Sequence, residues 1–375
     1  AYEIKEWDWS SDVCSSDLHS GNHHIDAKPS HRTSCSSRDG RAGNRSANLA
    51  SGSRPSRGAR VDSATNEWLE LSLMETLTQV VFPAMGNTVN LTVIGDNSLV
   101  EYARERIGAL EQRWSRFISS SDISRLNRSE DRATPVHPDT LTLVRYLVDA
   151  QRLTAGLFDP TVAPLLNGLG YSNSRSDASR RCEVPGDSRS HVDLSSTKID
   201  ERFGAVSLPH SATLDPGGLG KGLAADIVSR ELIERGATGV CLSIGGDIRC
   251  MGTGPVDGHW LIEVAHPLET GGIVGTVRLT DGAIATSSVR AKRWNDGDIE
   301  RHHVIDPATG APLALGSDTI IQSSVIASEA VWAEVFATVS LVGQTSALDH
   351  DLACCTVRSN GSTHANPQWR KFAHE

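Results

Sequence analysis

The 375-residue chain lacks several of the features that most quickly assign a protein to a class. Its seven cysteines (Cys14, Cys35, Cys182, Cys241, Cys250, Cys354 and Cys355) include no CxxC pair. An odd count in so long a chain is no disulfide framework, and the bland reading is scattered reduced thiols. No window approaches the roughly 18 apolar residues of a membrane span, and no secretory signal is read at the start. Basic residues are in deficit: 36 Lys and Arg against 46 Asp and Glu leave a formal charge of −10. That balance argues against nucleic acid as the main partner, because phosphate backbones are held by excess Lys and Arg. A phosphate-bearing small molecule stays open, since metal ions and backbone amides neutralise phosphate locally. Internal repeats are missing too.

What remains is an ordinary globular composition, 38% hydrophobic and 22% charged, with length enough for one large domain or two small ones. Residues 1–18, AYEIKEWDWSSDVCSSDL, resemble a translated sequencing adapter. From His19 to about Ala64 the chain is rich in Ser, Arg, Gly and Asn. Such a stretch buries too little apolar surface to offset its ordering entropy. We therefore expect residues 1–70 to be disordered or artefactual, 71–350 to form the folded domain, and 351–375 to be a C-terminal tail.

Alternation over 76–95, with Val89, Leu91 and Val93 on one face, predicts a strand pair broken at Pro83–Asn87. Val100, Ala103, Ile107, Leu110, Trp114 and Phe117 recur at helical spacing. A second helix opens with Pro138 and closes before Gly156; a third runs from about Leu219 to Arg235 and stops at Gly236. Between them, 172–190 reads as a polar loop. Strands follow at Val240–Ile244, 260–265, 274–280 and 319–327, and a last helix starts with Ser328 as N-cap. Successive strands without intervening helices favour an α+β mixture over a doubly wound parallel sheet.

Four segments could carry chemistry. Leu214–Gly222 (LDPGGLGKG) sets four glycines and Lys221 at a helix start, where amides and the helix dipole favour phosphate. It is neither a P-loop, since Gly222 follows Lys221, nor a GxGxxG fingerprint. Ile244–Arg249 (IGGDIR) puts Gly245 and Gly246 at a strand end, where backbone can approach a ligand. In the last helix Glu334 and Thr338 stand at i and i+4, an oxygen pair suited to Mg²⁺ on a mostly apolar helix. His303–Gly310 (HVIDPATG) combines a histidine that titrates near neutrality with a tight turn at Asp306–Gly310. Each alone has an unremarkable structural explanation: a glycine turn, a strand-end turn, a solvated helix face and a structural histidine.

Their order is more informative. AMGN, SDISRLN, FDPTVAP, LDPGGLGKG, SIGGDI, AIATS, HVIDPATG and AEVFAT, running from about residue 79 to 348, resemble the FAD:protein FMN transferases of the ApbE family. The resemblance implies a T-fold-related α+β fold of mixed, mainly antiparallel sheets flanked by helices. It further implies an Mg²⁺-dependent enzyme that cuts FAD, attaches FMN by a phosphoester to a Thr or Ser of an acceptor flavoprotein, and releases AMP. On this sequence Asp215 matches the FAD-contacting acid, and Gly218 the residue whose carbonyl meets the metal, with Glu334 and Thr338 as the other metal ligands. Met85 and Leu169–Gly170–Tyr171 match the flavin site, with Tyr171 placed to stack. Lys221, Gly245, Gly246 and Thr286 fall in the remaining FAD-binding motifs. His303, or Asp306 if it does more than shape the turn, would take the acceptor proton. Two departures stand out: Glu334 replaces the usual Asp, and Pro216 and Gly220 stand where Leu and Ala are common. The alternatives are an FAD pyrophosphatase giving FMN and AMP, and a non-catalytic flavin-binding protein. Acceptor, localisation and oligomeric state are not legible, and no lipobox is visible.

Overall fold

A computed structural model describes residues 76–174, 176–296, 298–344 and 352–374; the segment 1–70 lies outside the described residues. The alternating stretch folds as a hairpin of β1 (Leu77–Ala84) and β2 (Asn87–Ile94). Its two-residue turn holds Met85 at φ 51° and Gly86 at φ 66°, the turn type whose twist suits adjoining strands. Glycine takes that backbone freely. Met85 does not, so the turn stores local strain.

Six more strands complete one sheet: β3 (Gly239–Ile244), β4 (Asp247–Gly252), β5 (Gly282–Ser288), β6 (Ile320–Ala327), β7 (Ala353–Arg358) and β8 (Thr363–Ala365). Each pairs antiparallel with its neighbour, and the order across the sheet is the order along the chain. The expected antiparallel α+β architecture is the one observed. The stretch 351–375 differs from the expected tail. Cys354, Cys355 and Val357 are buried, and the strand that carries them pairs with β6.

The α-helices of the described residues are α1 (Ser98–Trp114), α2 (Asp122–Asn127), α3 (Pro138–Leu153), α4 (Ala163–Gly168), α5 (Gly220–Glu234) and α6 (Ala330–Val342). Period-two alternation in the strands decides what each sheet face meets. In β5, Ala283 and Ala285 join the core built with α5 and α6, whereas Ile284 joins a second core on the opposite face. That second core lies against a smaller sheet of Trp260–Ala265, Ile273–Leu279 and Ala373–His374. Small side chains on the helix side let α5 and α6 come close. At Gly222 a Cβ would lie 2.4 Å from the Ala330 carbonyl oxygen, so glycine is required where the two helices meet.

Ser328, expected as the N-cap of α6, does not cap it. Glu329 occupies the N-cap position without a side-chain cap. Asp226 from α5 serves instead, accepting from the amides of Ala330 at 2.8 Å and Val331 at 2.9 Å, with Arg249 Nε at 3.3 Å. Burial lifts Asp226 to about 7, against the pull of the two amides and of Arg249. A cap supplied by another helix leaves no local sequence signature.

Candidate functional site

A cavity of about 410 Å³ lies among the β1–β2 turn, the 215–221 loop, the end of β5, the segments 291–292 and 303–307, and α6. Of the residues expected at a site, Met85, Tyr171, Asp215, Gly218 and Lys221 line it. So do Gly245, Thr286, His303, Glu334 and Thr338. The rest stand one step back. Leu169 offers its carbonyl to Trp294 Nε1 at 2.7 Å, and Gly170, at φ 88°, passes beside the same indole. Gly246 completes the β3–β4 turn, while Gly245 makes room for Asn87, which would lie 2.8 Å from a Cβ there. Asp306 commits its carboxylate to its own turn, accepting from Ala308 N at 2.9 Å and Thr309 Oγ1 at 3.1 Å.

The loop before α5 spends its amides differently from a phosphate cradle. Asp215 accepts from Gly217 N at 2.8 Å, and Glu334 accepts from Gly222 N at 2.8 Å. Lys221 follows the helix start and donates its ammonium to both Glu334 and Asp247. Both carboxylates are almost fully buried. Burial, then the charge of Asp247, raises the Glu334 pKa against the pull of Lys221. One turn further along α6, Thr338 Oγ1 lies 2.9 Å from Ser287 Oγ, and Thr286 Oγ1 lies 2.8 Å from Ser324 Oγ. Asp247 does not stand out in the sequence, where the glycines of SIGGDI dominate the motif. An acid immediately after a Gly-Gly turn was the signal available.

Another part of the wall is aromatic and cationic. Arg116 Nε lies 3.1 Å from Asp215 Oδ2 in a buried pair. Burial is the largest single influence and opposes the charge on Arg116, but Asp215, Cys182 and Tyr171 together outweigh it and the net shift is upward. The guanidinium stacks 4.3 Å over Phe117 and 5.0 Å over Tyr171. Tyr171 also stacks on Trp294, with centroids 5.2 Å apart and planes 20° from parallel, and meets the edge of Phe117 at 5.9 Å. Tyr171 is thus already stacked by the protein itself.

His303 sits with Nδ1 3.4 Å from the Lys292 carbonyl, and burial followed by the Lys292 charge pushes its pKa down to about 3. Its imidazole is neutral at pH 7 and keeps a lone pair for a proton. Lys292, also on the cavity wall, is pushed down to about 8 by burial and by the facing Lys221.

Oxygen predominates among the donors that could hold an ion. The carboxylates of Glu334 and Asp247, the hydroxyls of Thr338 and Ser287, and the backbone of Gly218 border one cavity. Such hard donors suit Mg²⁺. Among the described residues no three His, Cys, Asp or Glu side chains cluster as a metal site. Two carboxylates with hydroxyls and a carbonyl fit an ion that fills its shell with phosphate and water.

Fold and cavity together define an α+β protein with a charged pocket at the meeting of an antiparallel sheet and two helices. The ApbE family matches residues 85–351, and the chain belongs to that family. Among its relatives, the FAD:protein FMN transferase of Vibrio cholerae serotype O1 is 25% identical over 265 residues, 68% of this chain and 78% of that protein. The FAD:protein FMN transferase of Chlamydia muridarum is 28% identical over 240 residues, 62% of this chain and 71% of the relative. The fold is shared with the ApbE protein of Thermotoga maritima at a TM-score of 0.70 and 23% identity, covering 80% of this chain and all (100%) of that one. The flavin transferase ApbE of Vibrio cholerae follows at a TM-score of 0.63 and 21% identity, covering 80% and 99%.

Proposed function

We propose that this chain is an FAD:protein FMN transferase that attaches FMN by a phosphoester to a Ser or Thr of an acceptor flavoprotein, releasing AMP. The observation that carries the reading is the convergence of Lys221, Glu334, Thr338 and His303 on one cavity that Asp215, Arg116 and Tyr171 also line. An acidic, hydroxyl-bearing end and an aromatic end match the two parts of a flavin nucleotide.

The Gly218 carbonyl, Glu334 and Thr338 would hold Mg²⁺, with Asp247 beside them. When bound, that ion would screen the pyrophosphate charge and polarise a phosphoryl oxygen. The protein's own part is positioning. Arg116 and Asp215 brace the segment of Tyr171, against which the isoalloxazine side of FAD would rest. His303, neutral at working pH, would accept the proton of the attacking hydroxyl. The hydroxyl oxygen bonds to the phosphorus on the riboflavin side, the bridging P–O bond breaks, and AMP carries off the electron pair. Orientation and preorganised charge supply most of the acceleration in such transfers.

The test is FAD and Mg²⁺ with and without an acceptor domain bearing a Ser/Thr flavinylation motif. Covalent flavin fluorescence on the acceptor, abolished by chelation and by Glu334→Ala, is the expected result. Free FMN and AMP whether or not acceptor is present would replace the reading with a pyrophosphatase. Bound but unchanged FAD would leave a flavin carrier.

A further inference from the structure

Three basic side chains reach the cavity, and two of them are already matched. Lys221 is held by Glu334 and Asp247, and Arg116 by Asp215. Lys292 is different. It lines the same cavity, yet among the described residues its ammonium has neither an ion-pair nor a hydrogen-bond partner. Across the space it faces Lys221, Glu334, Asp247 and Asp215. The side chain is half-buried, and an anionic ligand in the cavity would give its ammonium the partner that the protein does not supply.

Its position is also restrained, which a surface lysine's is not. Two residues along, Trp294 is fixed by its 2.7 Å hydrogen bond to Leu169 and its stack on Tyr171. The Lys292 carbonyl itself meets His303 Nδ1 at 3.4 Å. The segment is therefore tied to the flavin-side wall through Trp294, and to His303 through its own backbone. A compact cation so held acts as a fixed point charge for phosphoryl oxygens.

We propose that Lys292 is a catalytic residue whose ammonium contacts the phosphate being transferred. The assignment rests on the transferase reading above. As the acceptor oxygen bonds to phosphorus and the bond to AMP breaks, Lys292 keeps its proton and donates hydrogen bonds to the non-bridging oxygens. The hydroxyl proton goes to His303, and the leaving electron pair stays on AMP.

The test uses the full chain and two probes, inorganic pyrophosphate and riboflavin, with binding read by calorimetry and flavin fluorescence. Hydrogen bonds to a charged group carry enough energy that Lys292→Met should weaken pyrophosphate binding about 10- to 100-fold. Riboflavin affinity should stay within about twofold, and Lys292→Arg should restore most pyrophosphate affinity because it restores the charge. In the transfer assay Lys292→Met should lower kcat more than it raises the KM for FAD. Wild-type pyrophosphate affinity in Lys292→Met, or no pyrophosphate binding by the wild type, overturns the assignment. Equal loss of riboflavin and pyrophosphate binding does so too, because it marks a structural role. Lys292-dependent pyrophosphate binding without FMN transfer would keep Lys292 as a phosphate contact while removing the transferase reading. If Lys292→Met fails to fold, the same comparison is made between Lys292→Gln and Lys292→Arg.

Discussion

Replacing Asp226 by Ala removes the carboxylate that holds the first turn of α6, the helix that carries Glu334 and Thr338. Two amides lose a charged acceptor at 2.8 and 2.9 Å, and Arg249, 3.3 Å away, loses its buried partner. Hydrogen bonds to charged groups contribute roughly 1.5–3 kcal/mol each, and breaking a buried ion pair costs roughly 3–5 kcal/mol. These contributions overlap, so we expect Asp226→Ala to lose about 3–5 kcal/mol, a large share of the roughly 5–15 kcal/mol that holds a typical domain folded. Asp226→Asn keeps one acceptor oxygen and should lose about 1–3 kcal/mol. Ser328→Ala should stay within about 0.5 kcal/mol, because that hydroxyl is not the cap. Urea unfolding at about pH 8, where Asp226 is ionised, reads all three through midpoint and slope. Asp226→Ala within about 1 kcal/mol of wild type, or Ser328→Ala as damaging as Asp226→Ala, would refute the reasoning.

Other expectations follow from the same geometry. Burial would lift Asp139, but hydrogen bonds and charge from Arg106 outweigh it and hold the group below its ordinary 3.8. Its contribution is therefore present above pH 3.8 and lost as pH falls through the lower folded value; Asp139→Asn should flatten that acid limb of stability, and an unchanged limb counts against the pair. Gly222→Ala should cost about 1–3 kcal/mol or more by driving a methyl into the start of α6, so an unaltered melting temperature would contradict the helix contact. Trp294→Ala should weaken FAD binding about 3- to 10-fold by freeing the Leu169–Tyr171 segment; fluorescence titration giving wild-type affinity would dismiss the clasp. Met85→Gly should be neutral to about 1 kcal/mol stabilising at φ 51°, whereas Met85→Val should be destabilising; chemical denaturation separates the two.

Much of the fold was legible because local pattern and burial agree. The β1–β2 hairpin, the Pro138 helix and the strand at Val240 all announce themselves by periodicity and turn residues. Ser328 misled because a local N-cap signal was overridden by a carboxylate more than a hundred positions away. Residues 352–374 misled because three short strands, the first carrying the buried Cys354 and Cys355, look, as sequence, like the end of a chain. On the cavity wall, residues embedded in recognisable motifs, such as Lys221 and Glu334, are legible in the sequence. Asp247, Arg116, Lys292 and Trp294 are not, because their significance lies in pairs formed across the fold: Arg116 with Asp215, Trp294 with Tyr171. A charge without its partner in view reads as an ordinary surface residue.

The sheet follows chain order, but its second and third strands are far from consecutive: Ile94 pairs with Gly239, so residues 95–238 lie between them. During synthesis the β1–β2 hairpin must wait for that whole stretch before its inner edge is covered. At about 5–20 residues per second the wait is on the order of ten seconds. Through that interval Val89, Leu91 and Val93, all fully buried in the finished protein, sit on a strand with no neighbour on that side. The gap that gives the cavity its second wall thus also sets a window, while the chain is still on the ribosome, in which the nascent protein is most open to pairing with another copy of itself.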